Sequence, residues 1–188
     1  MRGTVATMLL SPPGTTTMIV IEDLQRKQTR ALYDVIDSVS REKKYLAWTE
    51  APPFGIFKVF VTNGILKRSP QVVALDGAKI VGWCDITALP RPTTKHCGTL
   101  GMGVLPGYRH KGIGTKLVHA ALRKAKRYGL YRVELEVFED NLPAIELYKK
   151  VGFEIEGKKT ASVKIDDRYV NVLMMALLLQ DYAEDQEV

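Results

Sequence analysis

The chain has 188 residues, of which 46% are hydrophobic and 26% are charged, and this length suits one globular domain with its own core. This composition excludes a collagen-like, coiled-coil or wholly disordered chain, and no apolar run reaches the roughly 18 to 20 residues of a membrane helix. The net charge of +6 is unevenly spread, because residues 86–133 contain ten Lys and Arg residues but no Asp or Glu. This basic stretch is expected to attract a polyanion, either a nucleic acid or a phosphate-rich cofactor.

The hydrophobic pattern predicts eleven elements in the order β-α-α-β-β-β-α-β-α-β-β. In chain order they are a strand at 18–21, helices at 24–39 and 54–65, strands at 71–75, 79–87 and 99–105, a helix at 115–128, a strand at 132–138, a helix from the N-cap Asn141 to Lys150, and strands at 153–156 and 169–179. Asp76-Gly77 and Asp166-Asp167 mark hairpin turns. The order predicts an α/β (α+β) fold, with a mixed, largely antiparallel central sheet flanked by helices.

One domain is expected at 18–180, with a tail at each end. Residues 11–17 are rich in Pro, Gly and Thr, which is typical of flexible chain, so we predict a disordered tail at 1–17 and a second tail at 181–188. Cys84 and Cys97 form no metal-binding pair, which favours reduced thiols in a cytoplasmic protein without a bound metal.

The segment between strand 99–105 and helix 115–128 carries the strongest chemical signal. It reads Arg109-His110-Lys111-Gly112-Ile113-Gly114. Glycines let backbone N–H groups converge on one concavity, the start of the helix adds partial positive charge, and Arg109 and Lys111 add full charges. These features predict a cradle for a pyrophosphate group.

Two well-known nucleotide-binding loops do not fit this segment. A P-loop needs Lys and then Ser or Thr after its last glycine, where this chain has Ile113 and Gly114. A dinucleotide fingerprint needs a third small residue where Leu117 stands. A strand-to-helix turn without any ligand stays open as an interpretation.

Two motifs resemble those of the GNAT superfamily of N-acetyltransferases. Arg109, Gly112 and Gly114 fill the family pattern R/Q-x-x-G-x-G/A. The second family pattern, N-x-x-A-x-x-x-Y-x-x-x-G-F, is matched by Asn141, Ala144, Tyr148, Gly152 and Phe153. The resemblance covers about residues 18–179, is specific over 100–153, and places the motifs one helix and one strand apart.

The resemblance implies direct transfer of an acetyl group from acetyl-CoA to a primary amine. A backbone N–H near Val104 would polarise the thioester carbonyl, and Tyr148 would protonate the leaving thiolate. Core packing of Tyr148 and simple helix capping by Asn141 are the competing interpretations. The implied acetyl-CoA contacts are Met102, Gly103, Val104, Arg109, His110, Lys111, Gly112, Ile113, Gly114, Asn141 and Tyr148.

No motif marks the group that accepts a proton from the attacking amine. Glu136 is our choice among the carboxylates; the others considered are Glu134, Glu42, Glu50 and Asp85. His110 is expected to be exposed beside the phosphates. His119 is expected on a helix surface rather than in catalysis. His96 lies in a polar loop, and a position in the cleft is the less favoured of its two interpretations.

The acceptor is expected to be a small primary amine or an amino-acid-like molecule. The segments expected to set specificity are the first two helices, the loop at 88–97 and the final hairpin. A protein amino group, at a ribosomal-protein N-terminus or a lysine, is the alternative within this class.

Two functions other than acetyl transfer also stay open. They are a basic nucleic-acid-binding module and a catalytically inactive acetyl-CoA sensor. No membrane partner is expected, and a homodimer would use a sheet edge or the final hairpin.

Overall fold

The computed structural model describes residues 5–9 and 17–182. The strands in this part of the chain are β1 (Val5–Leu9), β2 (Thr17–Asp23), β3 (Gln71–Asp76), β4 (Lys79–Ala88), β5 (Cys97–Val104), β6 (Arg132–Phe138), β7 (Glu154–Ile165) and β8 (Arg168–Leu178). The α-helices are α1 (Thr29–Ser40), α2 (Phe54–Leu66), α3 (Ile113–Tyr128) and α4 (Leu142–Val151). All eleven expected elements are present. Within the described residues, no helix is both long enough and apolar enough to cross a membrane.

The strands form one sheet in the order β1-β2-β3-β4-β5-β6-β8-β7. All neighbouring strands are antiparallel except β5 and β6, which are parallel because α3 connects them as a crossover. The prediction of a mixed, largely antiparallel sheet flanked by helices is therefore confirmed.

The N-terminal segment contains a strand that the sequence did not predict. β1 pairs with β2 along its full length, from Val5 opposite Ile21 to Leu9 opposite Thr17. Disorder was expected throughout 1–17, and over these five residues the structure shows a strand instead, because the open edge of β2 offers backbone hydrogen bonds. The rest of that expectation, at 1–4 and 10–16, lies outside the described residues, as does the tail at 183–188.

Helix α1 begins five residues later than its apolar pattern predicts. Gln25 is extended, with φ −106° and ψ 148°, and residues 26–28 form one 3-10 turn before α1. The Gln25 N–H donates to Gln28 Oε1 at 2.8 Å, and the Thr29 hydroxyl donates to the Arg26 carbonyl at 2.7 Å. These side-chain bonds stabilise a turn in place of the first helical turn.

Strand β7 is much longer than predicted and extends to Ile165. Most of its residues are exposed because it is an edge strand, so the alternation that identifies a half-buried strand is absent. Its pairing with β8 shifts register twice, between Ile155 and Gly157 and between Lys159 and Val163. The hairpin turn at Asp166, which has φ 52°, agrees with the prediction.

Each face of the sheet carries its own apolar core. On the first face, which we call the α3 face, α3 and α4 pack on Cys84 and Ile86 of β4 and on the apolar residues of β6. On the opposite face, which we call the α1 face, α1 and α2 pack on Val73 and Trp83. Because side chains alternate along a strand, the odd-numbered residues of β5 belong to the α1 face. Residues of both faces line a cavity at the centre of the sheet.

Candidate functional site

The centre of the sheet contains a gap between its two parallel strands. β5 and β6 pair at only three positions, of which the last is Thr99 opposite Glu134. Beyond these positions the strands diverge, and a cavity of about 980 Å³ opens between them. Its volume lies within the range of small-molecule and cofactor sites. A gap of this kind exposes backbone groups that a continuous sheet would pair.

The hydrogen-bonding pattern between β4 and β5 determines which backbone N–H groups of β5 point toward the gap. The Leu105 N–H donates to the Val81 carbonyl at 2.9 Å, so this pair is of the hydrogen-bonded type. Antiparallel pairs alternate, so the odd-numbered residues of β5 bond to β4 and the even-numbered ones point away from it. The N–H groups of Met102 and Val104 therefore point toward the gap. The Val104 carbonyl accepts from Arg109 Nε at 2.8 Å, which agrees with this assignment.

The glycine loop joins β5 to the N-terminus of α3. Gly112 is the N-cap residue and is left-handed, with φ 72°, and His110 has φ 60°. A Cβ at Gly112 would meet nothing within 4 Å, so open space lies above it. The first N–H groups of α3 have no partner within the helix, and no side chain caps them. The loop therefore presents converging N–H donors to the cavity, as an anion site requires.

Arg109 has a different role from the one its charge suggested. Its guanidinium binds Glu42, just beyond α1, at 2.8 and 2.5 Å, and stacks 4.6 Å from the ring centroid of Tyr45. These contacts raise the pKa of Arg109, chiefly through the Glu42 hydrogen bonds. The expected free charge beside a phosphate is thus already paired. Arg109 instead ties the loop to β5 and to the segment after α1.

The remaining loop residues divide between backbone and packing roles. Lys111 is exposed, and its Nζ donates to the Gly107 carbonyl at 3.0 Å. Ile113 is 1% exposed and lies in the core, so only its N–H is available to a ligand. A Cβ at Gly114 would approach Leu147 Cδ1 at 2.9 Å. Gly114 is therefore required for close contact between α3 and α4.

Tyr148 and Asn141 both line the cavity. Tyr148 is 7% exposed and packs edge-on against Phe153 at 5.7 Å. Burial raises the pKa of Tyr148 well above its usual value, with a smaller contribution from Cys84, so the phenol stays protonated at neutral pH. Asn141 occupies the N-cap position of α4, but its side chain makes no capping bond. The simple capping interpretation of Asn141 therefore loses its geometric support.

The two glutamates of β6 lie on the α1 face and line the same cavity. Glu134 lies 3.3 Å from Arg132 Nε, and Arg132 also holds Glu156 at 2.5 Å. Glu136 forms an ion pair with Lys159 of β7, and about half of its side chain is exposed. Neither Glu42, which binds Arg109, nor Glu50, which pairs with Arg41, is free.

Of two histidines expected to be exposed, His110 is exposed and His119 is buried. His110, within the glycine loop, is exposed and lines the cavity. His119 was expected on a helix surface, and this was wrong, because it is 8% exposed and its Nδ1 lies 2.7 Å from the Tyr182 hydroxyl. Burial lowers the pKa of His119, and the charges of Arg123 and Lys150 lower it further. Tyr182 follows β8, so the contact that buries His119 is invisible to helical periodicity.

One wall of the cavity consists of residues that no sequence motif identified. Residues 45–48, between α1 and α2, form one wall, while the loop at 88–97 does not line the cavity. A Cβ at Gly103 would overlap the ring of Trp83, so that ring lies flat on the strand. The alternation of Gly101 and Gly103 in β5 was the available signal for a close approach.

Comparison with known proteins assigns these features to one family. Residues 22–153 match the model of the acetyltransferase (GNAT) family, which covers more than half of the chain. The chain is 34% identical over 107 residues to an L-amino acid N-acetyltransferase, AaaT, of Escherichia coli K12, across 56% of this chain and 66% of that protein. It is 40% identical over 74 residues to an N-alpha-acetyltransferase of Sulfurisphaera tokodaii, across 39% of this chain and 44% of that protein. The matches therefore span less than two thirds of each curated relative.

A solved structure agrees over the whole domain. The acetyltransferase of the GNAT family from Streptococcus pneumoniae superposes with a TM-score of 0.79 at 25% identity, over 85% of this chain and 99% of that one. The superposed region is therefore larger than the segments aligned with either curated relative.

Proposed function

Because the chain belongs to the acetyltransferase (GNAT) family, we propose that it transfers the acetyl group of acetyl-CoA directly to a primary amine. The observation that carries this proposal is the divergence of β5 and β6 beside the N-terminus of α3. This arrangement offers strand-like backbone groups to an extended ligand and N–H donors to a pyrophosphate.

Acetyl-CoA fits the site in two parts. The pyrophosphate would lie at the N–H groups of residues 112–115, where the left-handed Gly112 leaves room. The pantetheine arm would run along β5 as an added strand and bond to Met102 and Val104. Lys111 lies on the loop and would add positive charge near the phosphates, and the His110 ring would offer a hydrogen bond there. The role of Arg109 would be to hold the loop in place through Glu42.

During acetyl transfer, negative charge would develop on the carbonyl oxygen and on the leaving sulfur, and each would have its own hydrogen-bond or proton donor. The amine nitrogen attacks the thioester carbonyl, the new N–C bond forms, and the C–S bond breaks. The Val104 N–H would stabilise the carbonyl oxygen as it becomes negative. Tyr148, which is buried and protonated, would donate its proton to the departing thiolate.

Removal of the amine proton is assigned to Glu136. Its position on the α1 face of β6, opposite the face covered by α3 and α4, supports this assignment, because the amine would approach from the side away from Tyr148. Lys159 pairs with one carboxylate oxygen of Glu136, and about half of the Glu136 side chain is exposed, so an amine could reach it.

The acceptor is proposed to be a small, amino-acid-like amine. The similarity to an L-amino acid N-acetyltransferase supports this choice. The similarity to an N-alpha-acetyltransferase supports the second candidate, a protein amino group. The two free cysteines, both buried, support a cytoplasmic location.

The test is calorimetric titration of the protein with acetyl-CoA, dephospho-CoA and NAD, followed by a thiol-release assay. The assay would screen L-amino acids, spermidine and a peptide with a free N-terminus. We expect acetyl-CoA to bind, dephospho-CoA to bind more weakly and NAD not to bind. Thiol release with amino acids but not with the peptide would support the small-amine acceptor. No binding of acetyl-CoA by folded protein would refute the proposal.

A further inference from the structure

The α1 face of β5 forms an open floor in the cavity. Thr99, Gly101 and Gly103 line the cavity and alternate on this face of the strand. Glycines at two of these three positions leave space that side chains would otherwise fill. Trp83 covers Gly103 from β4, so the clearest opening lies over Gly101.

Asp85 lies directly beside that opening. It is the β4 residue opposite Gly101, and its Oδ1 lies 3.6 Å from where a Gly101 Cβ would stand. The carboxyl is half-buried, and the hydrogen bond that it accepts from the Thr87 hydroxyl is long, at 3.4 Å. Burial raises the pKa of Asp85 to about 7, while side-chain hydrogen bonds from Thr87 and Trp83 lower it. Such a carboxyl has unused capacity to accept hydrogen bonds.

Glu136 approaches the same opening from the other side. Thr99 and Glu134 form the last pair of β5 and β6. Gly101 and Glu136 each lie two residues further along, so they lie on the same face of the sheet, on opposite sides of the gap. Glu136 points to the α1 face because it alternates with Leu135 and Val137, which lie in the core of the α3 face. Asp85, Gly101 and Glu136 therefore form a row on the α1 face, in which the gap between β5 and β6 separates Gly101 from Glu136.

The charges around this row are not equally neutralised. Lys159 pairs with Glu136, and Arg132 pairs with Glu134 and Glu156. No salt bridge of residues 17–182 includes Asp85. Asp85 is therefore a half-buried carboxyl without a salt-bridge cation, next to Gly101, which lines the cavity. Such a carboxyl favours binding of a cationic ligand.

We propose that Asp85 is a cation subsite that holds the ammonium group of the acceptor above Gly101, opposite Glu136. This inference rests on the proposed function and narrows its substrate class to amines that enter as cations. In this site Asp85 binds and orients the amine, and Glu136 accepts its proton. If Asp85 had only a structural role, it would be a buried neutral acid, and its substitution would not change amine binding.

The test uses n-butylammonium, which carries no recognition group besides its charge and a short chain, and n-butanol as its neutral analogue. Each is titrated into the protein saturated with CoA at about pH 8, where Asp85 is ionised. Binding is followed by NMR chemical-shift changes in the Asp85→Asn variant and in wild type. The matched control is Asp34→Asn, which removes a carboxylate from the exposed surface of α1.

We expect Asp85→Asn to weaken n-butylammonium binding at least ten-fold and to leave n-butanol and CoA binding unchanged. Asp34→Asn should leave the affinities for n-butylammonium, n-butanol and CoA unchanged. Asp85→Glu should keep the n-butylammonium affinity within about three-fold of wild type, because it keeps the charge. Equal n-butylammonium affinity in wild type and Asp85→Asn would overturn the inference, as would an Asp85→Glu loss as large as that of Asp85→Asn.

Two other outcomes separate this inference from the proposed function. If wild type binds CoA but not n-butylammonium, the subsite is refuted while the cofactor assignment stands. If wild type does not bind CoA, the proposed function itself fails. CoA affinity also reports whether each variant is folded, since the loop and β5 lie outside the substitution.

Discussion

Tyr148 combines the two properties that a proton donor to a thiolate needs. It lines the cavity between β5 and β6, and its burial keeps the phenol protonated. Its contact with Phe153 explains why it also contributes to the core. The competing interpretations of this residue, catalysis and packing, are therefore compatible in the structure.

Tyr148→Phe separates these two roles, because it removes the hydroxyl and keeps the ring. We expect the rate of acetyl transfer to fall by about 100-fold, since loss of a general acid has effects of that order. Acetyl-CoA affinity and thermal stability should be unchanged. Steady-state kinetics and calorimetry would check both points, and full activity in the variant would exclude Tyr148 as the acid.

His119 makes stability depend on pH in a defined direction. Its folded pKa is lowered by burial, so between the folded and unfolded pKa values the unfolded chain binds more protons. Stability from this residue is therefore present above the unfolded value of about 6.5 and is lost as the pH falls below it.

His119→Gln should remove this dependence while keeping a polar group near Tyr182. We expect the free energy of unfolding of wild type to decrease more steeply than that of the variant between about pH 7.5 and pH 5. Urea denaturation at several pH values would measure the difference. Parallel curves for the two proteins would contradict the assignment of the lowered pKa to His119.

The turn from β5 into α3 works through its backbone, which makes Gly112 its critical position. Its φ of 72° suits glycine, and the space above it is open. A side chain there strains the backbone by about 1–2 kcal/mol but meets no neighbour. The effect of a substitution on ligand binding therefore depends on the charge and size that it introduces.

Gly112→Glu is expected to abolish acetyl-CoA binding, because it places a negative charge among the N–H donors at the start of α3. Gly112→Ala is the matched control, since it carries the same backbone strain without the charge. The alanine variant should lose some thermal stability and still bind. Calorimetry on both would decide, and equal affinity of the two variants would show that the loop is not the phosphate site.

The order of the sheet places the N-terminal strand far from the cleft. β1 is an edge strand, and β2, β3 and β4 lie between it and β5. Its loss would expose backbone groups of β2 without touching the cavity. The long β7 forms the other edge of the sheet.

A chain shortened to begin at Met18 should therefore keep its acetyl-CoA affinity within about three-fold, because β1 does not contact the cavity. Its melting temperature should decrease, because the backbone hydrogen bonds between β1 and β2 are lost. Calorimetry and a thermal melt of the shortened chain would test this. Loss of acetyl-CoA binding by a shortened chain that is still folded would show that β1 supports the cleft. Light scattering of the full chain would report the oligomeric state.

Local patterns were enough to determine the element order, the mixed sheet, the glycine loop and the candidate positions of Tyr148 and Asn141. Helical periodicity, hairpin turns and left-handed glycines are properties of residues close together in the chain, so the sequence displays them directly. The errors at the start of α1 and the end of β7 arose where side-chain bonds or solvent exposure replace that periodicity.

The tertiary structure alone decided where β5 and β6 separate, what Arg109 binds, how His119 is buried and which carboxyl faces Gly101. Each depends on residues distant in the chain: Arg109 meets Glu42 across 67 positions, and His119 meets Tyr182 across 63. Charge and burial at such positions are set by the partner that folding brings near. A sequence motif identifies the residue but not that partner, and the partner decides whether a charge is free to bind a ligand.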